Sequence, residues 1–341
     1  MTTTLLQKEY MMQNRLNWLD SMKALGVFII VSGHYFPPNH ELLYVFSVQL
    51  FFIMSGFLSK KESHQIFIRK TFSQLIIPMI LLGIIYHMII AMIDILSGSF
   101  SIGLLIQKIY GLFIGNTRAL AGLWFVYSLV LSKIISQFTP KSIKPIVAIL
   151  CLAGSLYLNE YTEMAYRNCF VNTLLAYPVF FIGETLSRYK KQIDGINNRY
   201  ILGSFIIIGA IGVLISKLSN NVVWMYLGEY GSNIGIFLIG GMCGTLMCFG
   251  LCKLFFNRFN HYILILAEGS ILVLAFQNFF IKVTSPLTHG YGYYLTALLS
   301  LIAFIPLIII CKRYFPILVG YRGRSFKNIK SQDIEVSVNN N

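Results

Sequence analysis

Long apolar segments joined by short polar connections make up almost the whole chain. Ten of them reach the roughly 17–25 residues that an α-helix needs to cross about 30 Å of hydrocarbon. They lie at residues 17–36, 42–59, 74–96, 120–138, 143–159, 171–187, 200–217, 233–253, 262–281 and 291–311. Another apolar segment, at residues 101–115, is too short and too interrupted to cross. The pattern predicts an all-α polytopic membrane protein with about ten transmembrane helices.

The same pattern divides the chain into three parts. Residues 1–16 are predicted to form a cytoplasmic N-terminal segment, residues 17–311 a ten-span membrane domain, and residues 312–341 a basic, then polar, cytoplasmic tail. The first span is not expected to be a cleaved signal peptide, because no small-x-small site follows His34 and the next span begins almost at once.

Three ionisable residues lie inside the first apolar segment. Lys23 and His34 are eleven residues apart, which is three helical turns plus roughly 20°, so a helix places them on one face. Asp20 falls about 40° from His34 on the same helix. A carboxylate, an ammonium and an imidazole therefore form one stripe that extends for roughly 20 Å.

Two interpretations of this stripe are open from the residues alone. Ionisable groups at membrane depth cost several kcal/mol and usually face a cavity, a partner or a substrate path. Alternatively, Asp20 and Lys23 lie at the headgroup level on one side and His34 lies at the opposite interface, with no chemistry implied.

The composition agrees with a membrane protein. Of 341 residues, 56% are apolar and only 12% are charged, against roughly 25% charged in an ordinary soluble domain. The net charge of +14 follows the predicted topology. With a cytoplasmic N-terminus, 21 Lys and Arg residues fall on the inner side and five on the outer side, and Lys23 is left within the first span. The positive-inside rule therefore predicts that both termini are cytoplasmic, and the charge gives no reason to expect a nucleic-acid partner.

The six cysteines do not predict a metal or disulfide site. They lie mostly within predicted spans and form no CxxC pair. The chain also has no Walker loop, GxSxG elbow or HExxH motif.

Polar side chains also occur deep in other predicted spans, and they suffice to line a cavity. They are Ser47, Gln49, Ser55, His87, Asp94, Asn172, Glu184, Gln277 and Asn278. Each of them alone is more typical of a contact between helices or of the interface. The segment at 101–115 would place Arg118 and Trp124 near the mouth of any outer cavity.

Two stretches of sequence carry a resemblance to a known family. RLNWLDSMKALGVFIIVSGH at 15–34 and VFSVQLFFIMSGFL at 45–58 resemble the opening of the acyltransferase 3 family. Its members are multi-span bacterial enzymes that O-acetylate cell-surface polysaccharides. The resemblance extends to about residue 311 through Pro78 and the segments GLWFV at 122–126, LAYPVFFIGE at 175–184 and EGSILVLAFQ at 268–277.

The most specific part of the match is a basic residue, a ten-residue spacer and a histidine, here Lys23 and His34. Asp20 occupies an acidic position common in one branch of the family. Four positions depart from the family pattern. Ser47 stands for a histidine, Gln49 for a proline, Gln74 for an arginine and Gln277 for a histidine. These departures leave His34 as the strong intramembrane histidine candidate and disfavour any mechanism that needs two.

The resemblance implies an O-acetyltransferase of the bacterial cytoplasmic (inner) membrane. It would move an acetyl group from cytoplasmic acetyl-CoA to a hydroxyl of a cell-surface or lipid-linked glycan such as O-antigen or capsule, without a metal. His34 would act as the general base, because imidazole titrates near neutral pH. Asp20 is predicted to be the second catalytic residue. Lys23, Arg69 and Lys70 would bind the anionic 3′,5′-ADP end of the donor. Expected partners are the glycan acceptor and membrane lipids. The oligomeric state stays open, with a homodimer as one option.

Two other functions compete with this expectation. A proton-coupled transporter or flippase of a glycan or its precursor could use the Asp-Lys-His stripe as a relay. The lack of a detectable repeat and of paired Gly/Pro-broken helices disfavours it. The second alternative is a catalytically silent relative with a structural role in a glycan-assembly complex.

Overall fold

The computed structural model describes residues 15–161, 168–220, 223–284 and 292–320, and the chain is helical almost throughout these ranges. The predicted N-terminal segment up to residue 14 and the tail beyond residue 320 lie outside them. The α-helices are α1 (Asn17–His34), α2 (Glu41–Tyr44), α3 (Ser47–Phe57), α4 (His64–Thr71), α5 (Ile77–Leu96), α6 (Ile102–Phe113), α7 (Thr117–Leu120), α8 (Trp124–Phe138), α9 (Lys144–Tyr161), α10 (Cys169–Leu186), α11 (Lys190–Asp194), α12 (Arg199–Ser219), α13 (Ile234–Phe255), α14 (His261–Glu268), α15 (Ser270–Thr284) and α16 (Tyr293–Tyr314).

Short elements complete the described chain. A π-helical turn at Phe72–Ile76 joins α4 to α5. The 3₁₀ turns are Ala121–Leu123, Ser187–Tyr189, Met225–Leu227 and Pro316–Val319. The strands β1 (Val223–Trp224) and β2 (Glu229–Tyr230) form a small antiparallel hairpin, in which Val223 pairs with Tyr230 and Trp224 with Glu229.

The prediction of an all-α membrane protein is confirmed, but the number of ten spans is wrong. By length and hydropathy, six continuous helical stretches within the described ranges qualify as membrane spans. They are His64–Leu96, Thr117–Phe138, Cys169–Asp194, Arg199–Ser219, Ile234–Phe255 and Tyr293–Tyr314. Helices α14 and α15, which are bent by 80° relative to each other, make a seventh if they count as one span.

The remaining predicted spans fall short for separate reasons. The second is divided into α2 and α3, and the apolar part of α9 ends at Leu158, so both are under 18 residues. Helix α1 has 18 residues but carries Asp20 and Lys23, and it is not among the stretches that qualify. Thirteen of its 18 residues are buried, whereas only four of the 21 residues of α12 are. A helix enclosed by other helices does not have to match the hydropathy of lipid, so α1 tolerates these charges.

The core forms around α1 and α3. Val27, Leu50 and Phe52 are fully buried there. Helix α3 lies directly on α10, because a Cβ atom on Gly56 would lie 2.0 Å from the Phe180 carbonyl oxygen, and one on Gly183 2.0 Å from that of Ile53. Small residues that let two backbones approach are the usual means of helix association in membranes.

Contacts at the beginning of α1 define one end of the bundle. Trp18 Nε1 donates to Asp194 Oδ1 at 2.9 Å, and Lys253 Nζ lies 3.1 Å from the same oxygen. Ser21 Oγ donates to the Phe256 carbonyl oxygen at 2.8 Å. The C-terminal ends of α11 and α13 therefore lie beside the first turn of α1.

Contacts just beyond the last turn of α1 define the opposite end. Tyr35 OH lies 2.5 Å from Thr284 Oγ1, at the end of α15. Glu41 Oε2 lies 3.7 Å from Lys217 Nζ, near the end of α12. The connections that follow Asp194 and Phe256 therefore lie at one end of the bundle, and those near Glu41, Lys217 and Thr284 lie at the other end. The positive-inside rule predicts the same grouping.

Candidate active site

The imidazole of His34 has a defined hydrogen-bonding arrangement. His34 is the last residue of α1, and its Nδ1 lies 2.8 Å from the carbonyl oxygen of Ile30. A carbonyl oxygen only accepts, so Nδ1 must carry the hydrogen. In the neutral ring Nε2 then holds the free lone pair, and no group in the described part of the protein hydrogen-bonds to it. His34 is therefore arranged to accept a proton at Nε2.

His34 faces a cavity of about 410 Å³ at its end of the bundle. The walls come from α1, α2, α3, α5, α7, α8, α15 and the β1–β2 hairpin. The polar or small residues of the walls include His34, Ser47, Arg118, Gly122, Gln277 and Asn278. A cavity of this volume falls within the usual range for small-molecule sites.

Aromatic rings form one side of this cavity. The ring of Trp224 lies 5.7 Å from Tyr44, 6.3 Å from Phe36 and 6.0 Å from Tyr226 between centroids. Tyr44 is fixed by its hydroxyl, which donates to the Gly33 carbonyl oxygen at 2.8 Å. Burial and the nearby Glu229 raise the pKa of Tyr226, so its phenol remains a hydrogen-bond donor well above neutral pH.

Arg118 and Trp124, which the sequence pattern predicts near the mouth of an outer cavity, do line this cavity. Arg118 is exposed and provides a cation, and Trp124 is buried. Both lie on the α7–α8 segment. At its start, Asn116 Oδ1 accepts hydrogen bonds from the backbone N–H groups of Arg118 and Ala119 and so caps α7.

The basic residue of the motif lies toward the opposite end of α1. Lys23 is half-buried, and its ammonium lies within electrostatic range of Asp20 and Glu268. Lys133 on α8 lies within electrostatic range of Lys23, and its Nζ lies 5.8 Å above the ring of Phe180. Neither ammonium hydrogen-bonds to another described residue. Lys133 is one of the 21 basic residues that the charge pattern assigns to the cytoplasmic side, and only the folded bundle brings it near Lys23.

Comparison with known proteins adds the family. The family model of the acyltransferase domain matches residues 16–313, nearly the whole chain. The chain belongs to the acyltransferase 3 family. Together with its apolar helices, this family membership makes the protein a membrane acyltransferase. No curated protein and no solved structure matched it.

Asp20 does not reach His34 in this acyltransferase. Fourteen residues separate them along α1, a rise of about 21 Å. The Asp20 carboxylate is ion-paired with the Arg15 guanidinium, which also contacts Glu268, and Glu268 in turn pairs with Lys312. Helical spacing places Asp20 and His34 on similar faces but at opposite ends, so the structure does not bring the predicted catalytic pair together.

The three predicted donor-binding cations are placed differently from one another. Lys70 is ion-paired with Glu62, and Glu62 also lies within electrostatic range of Lys133. Arg69 is on the exposed side of α4. Lys23 and Lys70 are thus connected electrostatically through Lys133 and Glu62.

The four departures from the family pattern fall into two groups in the acyltransferase fold. Ser47 and Gln277 line the His34 cavity. Gln49 is buried elsewhere and its Nε2 donates to the Val45 and Phe237 carbonyl oxygens at 3.1 and 2.9 Å, so it joins α3 to α13. Gln74 is exposed in the π-helical turn.

The donor atoms for a metal site are dispersed. Within the described ranges, no three His, Cys, Asp or Glu side chains are close enough to hold a metal ion.

Proposed function

We propose that the protein is an O-acetyltransferase that moves an acetyl group from cytoplasmic acetyl-CoA to a hydroxyl of a cell-surface or lipid-linked glycan, such as O-antigen or capsule, in the bacterial inner membrane. The observation that carries the proposal is His34, with Nδ1 bonded to Ile30 and with Nε2 in a cavity, where no described residue hydrogen-bonds to it. A weak hydroxyl nucleophile needs such a base.

The reaction would proceed by direct transfer. The acceptor oxygen attacks the thioester carbon while Nε2 of His34 takes the hydroxyl proton. The C–S bond then breaks, and the imidazolium returns the proton to the departing thiolate of CoA. Both proton transfers occur at Nε2, because the Ile30 carbonyl holds the hydrogen on Nδ1.

Donor and acceptor would approach from opposite ends of α1. Lys23 is about 16 Å from His34 along the helix axis. Phosphate groups of acetyl-CoA at Lys23 would leave the thin pantetheine arm to extend toward His34. At the other end, the rings of Trp224 and Tyr44 offer the apolar faces with polar edges that suit a sugar ring, and Arg118 adds a hydrogen-bond donor.

The transporter or flippase alternative is weaker on one structural ground. Between Lys23 and His34, α1 presents only apolar and small residues, and most of them are buried. A proton relay needs titratable groups in succession, which this part of α1 does not supply.

The decisive experiment compares the surface glycan of the host with the wild-type chain, without the chain and with His34→Ala. Mass spectrometry should find acetyl groups that depend on the chain and are lost in His34→Ala at equal protein abundance. Loss of glycan export in the absence of the chain, with acetylation of the remaining glycan unchanged, would instead support transport.

A further inference from the structure

The side-chain amide of Gln277 is buried without a hydrogen-bond partner. Gln277 is only 1% exposed and lines the cavity that His34 faces. Its Oε1 is enclosed and accepts no hydrogen bond from the described residues, and its Nε2 lies against the backbone of Gly122. Buried polar groups in native proteins are nearly always paired, so an unpaired amide in a cavity calls for a functional explanation.

The interruption between helices α7 and α8 faces the same cavity. Between α7 and α8, Ala121 adopts φ +46°, a left-handed conformation that is uncommon for a residue with a side chain. The chain then starts a new helix through Ala121–Leu123 and α8. Gly122 lies in its first turn, where backbone N–H groups have no partner within the helix and carry a partial positive charge.

The Gln277 amide and the start of this helix are adjacent. A Cβ atom on Gly122 would lie 3.0 Å from Gln277 Nε2 and 2.0 Å from the Leu274 carbonyl oxygen. Only glycine permits this approach. The side-chain amide of Gln277 therefore packs against the backbone at the start of this helix, and both Gln277 and Gly122 line the cavity that contains His34.

We propose that Gln277 Nε2 and the Gly122 amide form the oxyanion-binding site of the acyl transfer. The inference rests on the proposed function. As the acceptor oxygen bonds to the thioester carbon, His34 takes the hydroxyl proton and the π pair of the carbonyl moves onto its oxygen. That oxygen accepts hydrogen bonds from Gln277 and Gly122. When the pair returns, the C–S bond breaks and His34 protonates the thiolate.

The first test replaces the donor without changing the volume of the side chain. Gln277→Met and Gln277→Glu should each lower kcat by about 10²–10³-fold with little change in KM for acetyl-CoA, because the hydrogen bonds strengthen only as charge develops. Gln277→Met buries no charge, so it separates loss of the donor from misfolding, and thermal stability in detergent is measured in parallel.

The matched control is Asn278→Asp, which adds the same negative charge to the same cavity one residue along the chain. It should retain much more activity than Gln277→Glu. Equal losses in these two variants would assign the effect to charge in the cavity. Near wild-type kcat in Gln277→Met would show that the amide does not act on the reacting atoms. Either result would overturn the proposal.

A second readout does not depend on turnover. The infrared carbonyl band of acetyl-CoA bound to the purified protein without acceptor should lie at a lower frequency than that of free acetyl-CoA, and Gln277→Met should reverse most of the shift. A band at the same position in both proteins would contradict the oxyanion site. Failure of the wild-type protein to acetylate any glycan, with the band shift present, would count against the acceptor in the proposed function instead.

Discussion

The hydrogen bond from His34 Nδ1 to Ile30 decides which nitrogen can do chemistry, and it gives a direct prediction. A positioned general base contributes on the order of 10²–10⁴ in rate, so His34→Ala should reduce acetylation by that factor without lowering the amount of protein in the membrane. Acetylation of the host glycan, quantified against protein abundance, measures both.

His87 supplies the control for this variant. His87 is buried, its Nε2 bonds to the Ala119 carbonyl oxygen at 2.7 Å, and it does not line the His34 cavity. His87→Gln keeps a side-chain N–H donor and should retain most activity. Wild-type rates in His34→Ala, or an equal loss in His87→Gln, would contradict the assignment of the base.

Lys23 is the second residue whose function can be separated by substitution. If its ammonium binds the donor, Lys23→Met should weaken acetyl-CoA binding tenfold or more, the loss of a charge-assisted hydrogen bond worth roughly 1.5–3 kcal/mol. Lys23→Arg should keep part of the affinity. Binding of labelled acetyl-CoA to purified protein measures each case, and the exposed Lys141, replaced by Met, is the control. Equal affinity in all these variants would show that Lys23 does not hold the donor.

Single residues also show which features of the site could be predicted from the sequence. The spacing in α1 was enough to place Lys23 and His34 on one face of a helix. It could not show that the Arg15 guanidinium, which pairs with Asp20, also pairs with Glu268, because Glu268 is about 250 positions away in the chain. Lys133 and the unpaired amide of Gln277 were missed as site residues for the same reason. Their environment comes from helices that are distant in sequence.

Between elements, the clearest linkage joins α8, α9 and α10. Lys144 is ion-paired with Glu184 and its Nζ lies 2.8 Å from Ser136 Oγ, which also donates to Glu184 at 2.7 Å. Lys144 is buried and the Glu184 side chain is 23% exposed. Such a pair fixes the register of three helices at one end of the bundle.

Removing one partner of the Lys144–Glu184 ion pair should therefore destabilise the fold. Lys144→Met leaves Glu184 largely enclosed without its cation, and we expect a loss of about 1–3 kcal/mol. Heat unfolding in detergent should show a lower midpoint. The double variant Lys144→Met/Glu184→Gln should recover part of that loss, since it removes the unpaired charge. A double variant less stable than Lys144→Met would contradict a coupled pair.

The break between α14 and α15 shows what the apolar pattern conceals. Residues 262–281 were predicted as one span because the apolar residues continue through Gly269. In the structure the axis turns by 80° there, and a Cβ atom on Gly269 would lie 2.5 Å from the side chain of Ile308. Hydropathy does not report such a bend, because both halves remain apolar. The close packing against α16 is what requires a glycine at this point.

For the whole molecule, the distribution of charge predicts which end of the bundle faces the cytoplasm. Reporter fusions after Phe36, Asn159 and Asn220 should score as outside, and fusions after Lys61, Lys191 and Arg258 as inside. The structure groups three of these connections in the same way. Asp194 and Phe256 lie beside the first turn of α1, and Lys217 lies beyond its last turn.

This topology also tests the proposed mechanism, because its donor, acetyl-CoA, is expected on the cytoplasmic side. If the His34 end were cytoplasmic, Lys23 would lie toward the outer side, where acetyl-CoA is not supplied, and the donor path along α1 would be reversed. A cytoplasmic signal after Asn220 would therefore contradict the arrangement of donor and acceptor while leaving the helix packing intact. Outside signals after Phe36 and Asn220 together would place the aromatic wall around Trp224 on the side where a surface glycan is assembled, and Lys23 on the side of acetyl-CoA.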